Sequence, residues 1–352
     1  MAVNSRNELI LINFVVDSDD SLLSHQADVV RSLAGHFEKL TVITGRKGNF
    51  NPPTNVQIID LGWKKDENLR NILCLYKAFL SVVNPKKSVV FSHMTDVQAA
   101  FLSPITWITR TPHYLWYAHK QLSQYLKFAN LFIDGVLTST TGSCPLSGRK
   151  VTVIGQGVDP SVFKLKGRRS SFLDTGIHIG RADPSKNLGK IFEFTVSEHS
   201  RNTNFNLLQI GGPSTLEAQA EFENLCRNFH EAISSGVIKL HPSSPRGQVP
   251  NLMASADFFV HAYEGSLDKT LIESTLVRLP VITLNQEYHA IFGTWSGDKI
   301  PTLQSEYQAM RSLGAQVLEA EIDRRFKLAE YSHSYSNWIE KITKILKNDL
   351  SS

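Results

Sequence analysis

Strand-sized apolar runs alternate with helix-sized amphipathic runs along this chain, and the series starts again after one polar junction. That repeated alternation constrains the fold more than any single motif. Strands separated by helices of ten or more residues cannot pair as hairpins and must form parallel sheets with crossovers. In the first series, ELILINFVV (8–16), LTVITG (40–45), VQIIDLG (56–62), SVVFSHM (88–94), HYLWYAH (113–119), DGVLTST (134–140) and KVTVIGQG (150–157) read as strands. SLLSHQADVVRSLAGHF (21–37), NLRNILCLYKAFLSVV (68–83), VQAAFLSPITWIT (97–109) and QLSQYLKFANLFI (121–133) read as helices between them.

The junction GVDPSVFKLKGRRSSFLD (157–174) is polar and basic, with Gly and Pro, and separates the two series. The second series places strands at GIHIGR (176–181), NFNLLQIGG (204–212), VIKLH (237–241), DFFVHA (257–262) and PVITL (280–284). Helices are expected at NLGKIFEFTVSEHS (187–200), TLEAQAEFENLCRNFHEAI (215–233), VPNLMASA (249–256) and KTLIESTLV (269–277). The expected fold is therefore α/β: two doubly wound, Rossmann-like domains, 1–158 and 159–333. A last amphipathic helix at about 334–350 has one apolar face with which to pack back on the first.

Composition removes several classes of function. Hydrophobic residues make up 41% and charged residues 20% of 352, an ordinary globular balance that can fill two cores. No run of eighteen apolar residues is present, so no membrane-spanning helix is expected. The apolar run at 8–16 lacks a small-residue cleavage site and reads as a first strand rather than a signal peptide. Cys74, Cys144 and Cys226 match no metal spacing and read as incidental thiols in a reducing, cytoplasmic compartment. The formal net charge is +4, and its basic excess lies in the first 158 residues. Such a surface suits an anionic membrane or acceptor as well as plain solvation, and no nucleic-acid partner is expected. The segment QLSQYLKFANLF, with Leu122, Tyr125, Leu126 and Ala129 on one side and Lys120 and Lys127 nearby, either packs into the core or rests on the inner face of a membrane.

Candidate chemistry gathers just past the carboxyl ends of the expected strands, where open parallel sheets bind ligands. Gly180 ends one strand, and Arg181 and Lys186 follow; they are either ligands for a diphosphate or solvated loop charges. Gly211 and Gly212 end another, as a tight turn or a close approach of backbone to ligand. The stretch HAYEGSLDKTLIESTLVRLPVIT (261–283) runs from a strand through Glu264, Gly265, Ser266, Leu267, Asp268 and Lys269 into a helix with Glu273 in its first turn. There, backbone amides can meet a phosphate or sugar and a carboxylate can hold a ribose. In the first series His119 ends the strand at 113–119, and His25 and His93 follow other strands. Three histidines after three strands could line one rim, but their spacing suits no zinc site. The chain has no GxGxxG, no GxxxxGK[ST] and no nucleophile elbow, which removes the main support for dehydrogenase, nucleoside-triphosphatase and hydrolase readings.

These motifs resemble those of family 4 glycosyltransferases, also called glycosyltransferase group 1, with the GT-B fold of two domains facing across a cleft. GQGVDPSVF (155–163) resembles the family's interdomain segment, IGRADPSKN (179–187) its donor diphosphate loop, and EGSLDKTLIESTLVRLPVIT (264–283) its paired-glutamate block. The resemblance implies a retaining hexosyl transfer from a nucleoside-diphosphate sugar to a glycan, lipid-linked or other acceptor, without cofactor or metal. It places Arg181 and Lys186 at the diphosphate, Glu273 at the ribose, Gly265 to Leu267 near the donor phosphate or sugar, and His119 at the reaction centre. Two departures stand out. Glu264 and Glu273 are one residue further apart than the family's pair, so Gly265 falls where the first carboxylate is expected; either Glu264 is restored by a loop adjustment, or Asp268 and Lys269 take over. VVDSDDSLLSHQ (15–26) also replaces the family's Gly-Gly loop, which suggests acceptor contacts through Ser24 or His25. An epimerase or phosphorylase on the same fold, or a non-catalytic nucleotide-sugar-binding partner, remains open because a fold does not fix a reaction.

Overall fold

A computed structural model of the chain describes residues 6–20, 23–163 and 173–347. The middle of the expected junction, 164–172, and the last residues of the expected final helix lie outside them. The described residues fall into two compact units, one within 6–155 and 336–347 and one within 156–335.

The first unit runs β1 (Glu8–Val16), α1 (His25–Ala34), β2 (Lys39–Lys47), β3 (Val56–Asp60), α2 (Asn68–Val82), β4 (Ser88–His93), α3 (Asp96–Thr109), β5 (His113–Trp116), α4 (Gln124–Ala129), β6 (Gly135–Thr138) and β7 (Val151–Val153). Its strands join in one parallel sheet, ordered β3-β2-β1-β4-β5-β6-β7. Alternation dictates this. Ile10, Ile12, Ile43 and Val90 point to one face and meet Leu75 and Phe79 of α2 and Leu102 of α3. Leu115 and Val136 pack with Ala99 and Ala100 of α3 and Leu126 and Ala129 of α4.

The second unit runs β8 (Thr175–Ile179), α5 (Leu188–Arg201), β9 (Asn206–Ile210), α6 (Leu216–Asn228), α7 (His230–Ser234), β10 (Ile238–His241), α8 (Val249–Ala254), β11 (Phe258–His261), α9 (Lys269–Leu276), β12 (Val281–Thr283), α10 (Gln286–Phe292), α11 (Leu303–Ser312) and α12 (Ala315–His333). Its parallel sheet is ordered β10-β9-β8-β11-β12. A core covers each face: Ile177, Phe259 and Val281 with α9 on one side, Leu207, Phe258, Val260 and Ile282 with α5 and α11 on the other. The order matters for function. After β8 the chain builds outward to β9 and β10, then returns to lay β11 on the other side of β8. The β8/β11 crevice is thus the topological switch point, where doubly wound sheets take ligands.

Three sequence expectations need correction. The strand at 113–119 stops at Trp116, so His119 lies in the following loop. The helix at 215–233 breaks at Phe229, whose ring packs edge-on against Phe192 at 5.5 Å. Residues 286–333, which carry no assignment in the sequence reading, form α10, α11 and α12. Apolar periodicity misses α12 because two of its buried residues are Arg325 and His333. Arg325 is tolerated there by stacking at 3.8 Å over Trp295 and pairing with Glu321 at 2.8 Å.

The last helix, α13 (Tyr335–Leu346), buries Trp338, Ile339, Ile342, Ile345 and Leu346, and from Ser336 onward belongs to the first unit. Trp338 meets Trp116 of β5 edge-to-face at 5.2 Å and His93 of β4 at 5.8 Å. Replacing Trp338 by Ala should cost about 3–5 kcal/mol, the usual range for a buried aromatic. Urea denaturation would check this, and a loss under about 1 kcal/mol would show that α13 does not anchor there.

Candidate functional site

The loops after β8 and β11 close over the switch point. Beyond β8, Gly180 and Gly211 are back to back. Gly211 has φ +115°, and a Cβ on it would lie 2.1 Å from the Gly180 carbonyl oxygen. The Gly180 amide donates to the Ile210 carbonyl at 3.0 Å, and the Ala182 amide to the Gly212 carbonyl at 2.9 Å. The glycine pair is therefore a close approach of two strand ends, which delivers Arg181 and the turn 184–186 to the edge of the sheet. Arg181 is exposed, held at 3.1 Å by Asp183 and at 3.3 Å by Ser214. Lys186 is largely covered. Its ammonium pairs with the Asp268 carboxylate and sits 4.2 Å from the centre of the Tyr263 ring.

Beyond β11, Asp268 is the N-cap of α9, where its carboxylate accepts the Thr270 amide. Burial alone would raise the Asp268 pKa; hydrogen bonding from His261 at 3.4 Å and the Lys186 ammonium reverse this and hold the carboxyl well below its usual range. Glu273 lies in the second turn of α9, not the first, because the helix starts at Lys269. It is buried, which pushes its pKa up, against the opposing pull of Arg246, whose guanidinium meets it at 2.7 Å. Lys269 opens α9 next to Asp268, and Leu267 is buried in the core below the loop. Ser266 is buried too.

Gly265 takes the position where the resemblance expects the first carboxylate. A Cβ on Gly265 would fall 2.0 Å from the ring of Tyr263, so a side chain there requires that ring to leave its place against Lys186. Glu264 points to the rim and pairs with Lys190 of α5 at 2.6 Å, both half-exposed. Of the loop's carboxylates, Asp268 is the one beside Lys186. Beside this array a cleft of about 590 Å³ opens between α5 and α6, bordered by Asp183, Asn187, Lys190 and Glu221.

Sequence reasoning misses the residues that hold the loop. Asn285, fully buried, donates its amide hydrogens to the carbonyls of Tyr263 (3.0 Å), Gly265 (3.2 Å) and Ser266 (3.1 Å), while its oxygen caps α10 at the Tyr288 amide. His261, Tyr263 and Arg246 are likewise absent from the sequence-derived set. Their one legible signal is position, since each follows or ends a strand at the same sheet edge. His178, buried in β8, donates from Nδ1 to the Val260 carbonyl at 2.8 Å and turns Nε2 toward Gly180.

In the first unit, His119 is exposed in the loop after β5. Its ring meets Tyr117 edge-on at 5.5 Å, and partial desolvation lowers its pKa against the opposing charge of Asp96. His93 is buried among His25, Trp116 and Trp338. His113 is a core residue, bonded to Ser92 at 2.8 Å and Thr106 at 3.2 Å, with its pKa pushed down to about 3 by burial. Among the described residues, no group of three or more His, Cys, Asp or Glu is placed to hold a metal ion. None of their helices is long and apolar enough to cross a membrane.

No protein-family model matches the chain, and no curated protein matches it in sequence. Solved structures do match. Anabaena HepE in complex with UDP aligns with a TM-score of 0.74 at 12% identity, over 97% of this chain and 100% of that one. A glycosyltransferase from Rickettsia africae aligns at 0.71 and 13%, over 98% and 100%. The sucrose-phosphate synthase of Thermosynechococcus elongatus aligns at 0.69 and 12%, over 98% and 100%. At such identities the likeness shows the fold: the chain has the GT-B fold, built of two Rossmann-like α/β units.

His178 gives the second unit an acid-sensitive core. Burial, then the neighbouring His261, lowers its pKa to about 3 when folded, whereas the unfolded side chain titrates at its ordinary value of 6.5. Between these values only the unfolded chain binds the proton, so stability falls as pH falls. The loss should reach roughly 4 kcal/mol near pH 3.5. Compared with the natural chain, His178→Phe should flatten the limb between pH 6 and 4 by about 1.4 kcal/mol per pH unit. Urea midpoints across that range would check it; parallel limbs would refute it.

Proposed function

We propose that this chain is a glycosyltransferase of the family 4 type, moving a hexose from a nucleoside-diphosphate sugar to a glycan, lipid-linked or other acceptor with retention of configuration and without a metal. The carrying observation is the second unit's switch point, where Lys186 from the β8 loop and Asp268 from the β11 loop meet, with Arg181 and Glu273 on the same two connections. The neighbouring Anabaena protein binds UDP and UDP-glucose, which makes a uridine nucleotide the first donor to test.

The chemistry follows from charge. As the sugar–oxygen bond breaks, the ring gains positive charge and the leaving diphosphate gains negative charge. Arg181 and Lys186, already in place, stabilise that developing charge more than the ground state. The leaving phosphate oxygen then takes the acceptor's proton on the same face of the sugar. Glu273 accepts hydroxyls of the ribose, for which Arg246 keeps it oriented. Gly211, Gly212 and the amides of Gly265 to Leu267 approach phosphate or sugar, Lys269 adds positive charge, and His119 serves the acceptor side. Four cations here are paired with carboxylates: Arg181 with Asp183, Lys186 with Asp268, Lys190 with Glu264 and Arg246 with Glu273. A bound diphosphate would share or replace those carboxylates.

Lys186→Ala should retain the fold and lose roughly a hundredfold in turnover. The assay is release of nucleoside diphosphate in a screen of uridine, guanosine and adenosine diphosphate sugars. Near-normal turnover would reject the diphosphate assignment. The second reading, a non-catalytic nucleotide-sugar-binding partner, draws on the absence of a carboxylate at Gly265; nucleotide binding without any release of diphosphate would favour it.

We also propose that the protein works in the cytoplasm, with the first unit peripheral on a membrane beside a lipid-linked acceptor. Part of the stripe expected there is core: Leu126 and Ala129 are fully buried. Leu122, Tyr125, Phe128 and Leu131 are exposed, joined by Trp107 and Ile108 from the end of α3. Ring contacts run from Trp107 to Phe132 at 6.0 Å and on to Phe128 at 5.4 Å, and Arg110 and Lys127 are exposed beside them. Aromatic rings with flanking cations suit the headgroup layer of an anionic bilayer. Co-sedimentation with phosphatidylserine vesicles should fall at least about fivefold in a Trp107→Ala, Phe128→Ala variant. Binding absent in the natural chain, or unaltered in the variant, would end this proposal.

A further inference from the structure

The Lys186–Asp268 pair is the visible end of a longer hydrogen-bond chain, and its direction is fixed by counting protons. Asp268, held well below the usual carboxylate range, can only accept. The partner facing its Oδ2 from His261, Nε2 at 3.4 Å, must therefore carry a proton. On the other side of the ring, His261 Nδ1 lies 3.2 Å from the Thr283 hydroxyl oxygen. That oxygen already accepts the Asn285 amide at 3.0 Å, so its own proton is available to donate to Nδ1. The ring is completely buried in β11, and loss of hydration lowers its pKa, which favours the neutral imidazole. Every bond then has one donor and one acceptor, from the Asn285 amide through Thr283, His261 and Asp268 to Lys186.

We propose that His261 is a positioning residue, locked as its Nε2–H tautomer by Thr283, which orients Asp268 and through it fixes the Lys186 ammonium for a diphosphate. The aim follows from the ammonium's three N–H bonds. The Asp268 carboxylate takes one and the Tyr263 ring face another, which leaves one to point at a ligand oxygen. Asn285 serves both halves of the arrangement: its backbone amide starts the chain at Thr283, and its side chain fixes the carbonyls of the loop between β11 and α9. The inference deepens the donor-site reading and rests on it for the ligand of Lys186, but not for the hydrogen-bond chain.

Two measurements separate those claims. Long-range proton–nitrogen NMR of the whole protein at pH 7, without ligand, should show His261 with a protonated Nε2 and a bare Nδ1. The opposite tautomer, or a doubly protonated ring, overturns the proposal whatever the protein binds. Titration with uridine diphosphate and with uridine then tests the consequence. His261→Leu, which has no donor, should weaken uridine diphosphate roughly tenfold and leave uridine unchanged. His261→Gln, whose amide N–H can stand near the Nε2 position, should restore most of that affinity. Equal losses for both ligands, or a Gln variant as weak as Leu, would make His261 merely structural and overturn the proposal. Failure of the natural chain to bind uridine diphosphate would sink the uridine donor reading, while the tautomer measurement still decides the positioning claim.

Discussion

The ion pair between Lys186 and Asp268 is the constraint on which the second unit's arrangement turns. It joins the loop after β8 to the loop after β11, the two neighbouring strands from which the chain winds in opposite directions. Both partners are largely covered, and an ion pair so placed is favourable when most of its remaining hydrogen-bonding positions are filled. Most are filled locally: Tyr263 covers the ammonium, Thr270 and His261 complete the carboxylate, and Thr283 backs His261, which leaves one ammonium N–H for a ligand. The site is thus preorganised by its own polar groups, and the electrostatics a diphosphate would meet are built before it arrives.

The loop between β11 and α9 divides its carboxylates by their partners. Asp268 caps α9 and holds Lys186 at once. A side chain at Gly265 would displace the Tyr263 ring from its place against Lys186. Glu264, the carboxylate that spacing alone favours, is carried to the rim and paired with Lys190.

The first unit shows how one residue type divides by environment. His113 is a core histidine stripped of its hydration and satisfied by Ser92 and Thr106, while His119 sits in an exposed loop and retains access to solvent. The helix read from residues 121–133 divides similarly. Leu126 and Ala129 fill the core beneath α3, and the residues between them turn outward to give the aromatic surface with Trp107.

The alternation of period-two and helical runs determined by itself that the chain forms parallel sheets wound on both faces, because local apolar spacing decides which elements can bury a face. It also placed Arg181, Lys186 and Asp268 in the loops past strand ends and Glu273 on the helix that follows, since strand ends are marked by glycines and by the loss of apolar residues. It could not reveal α12, whose buried face includes Arg325 and His333, nor the roles of Asn285, His261 and Arg246. Those residues act on partners far along the chain: Asn285 on carbonyls twenty or so residues earlier, Arg246 on Glu273 and His261 on Thr283. Only the tertiary structure decides which carboxylate meets which cation, because winding strands about a switch point brings together loops that no local pattern relates.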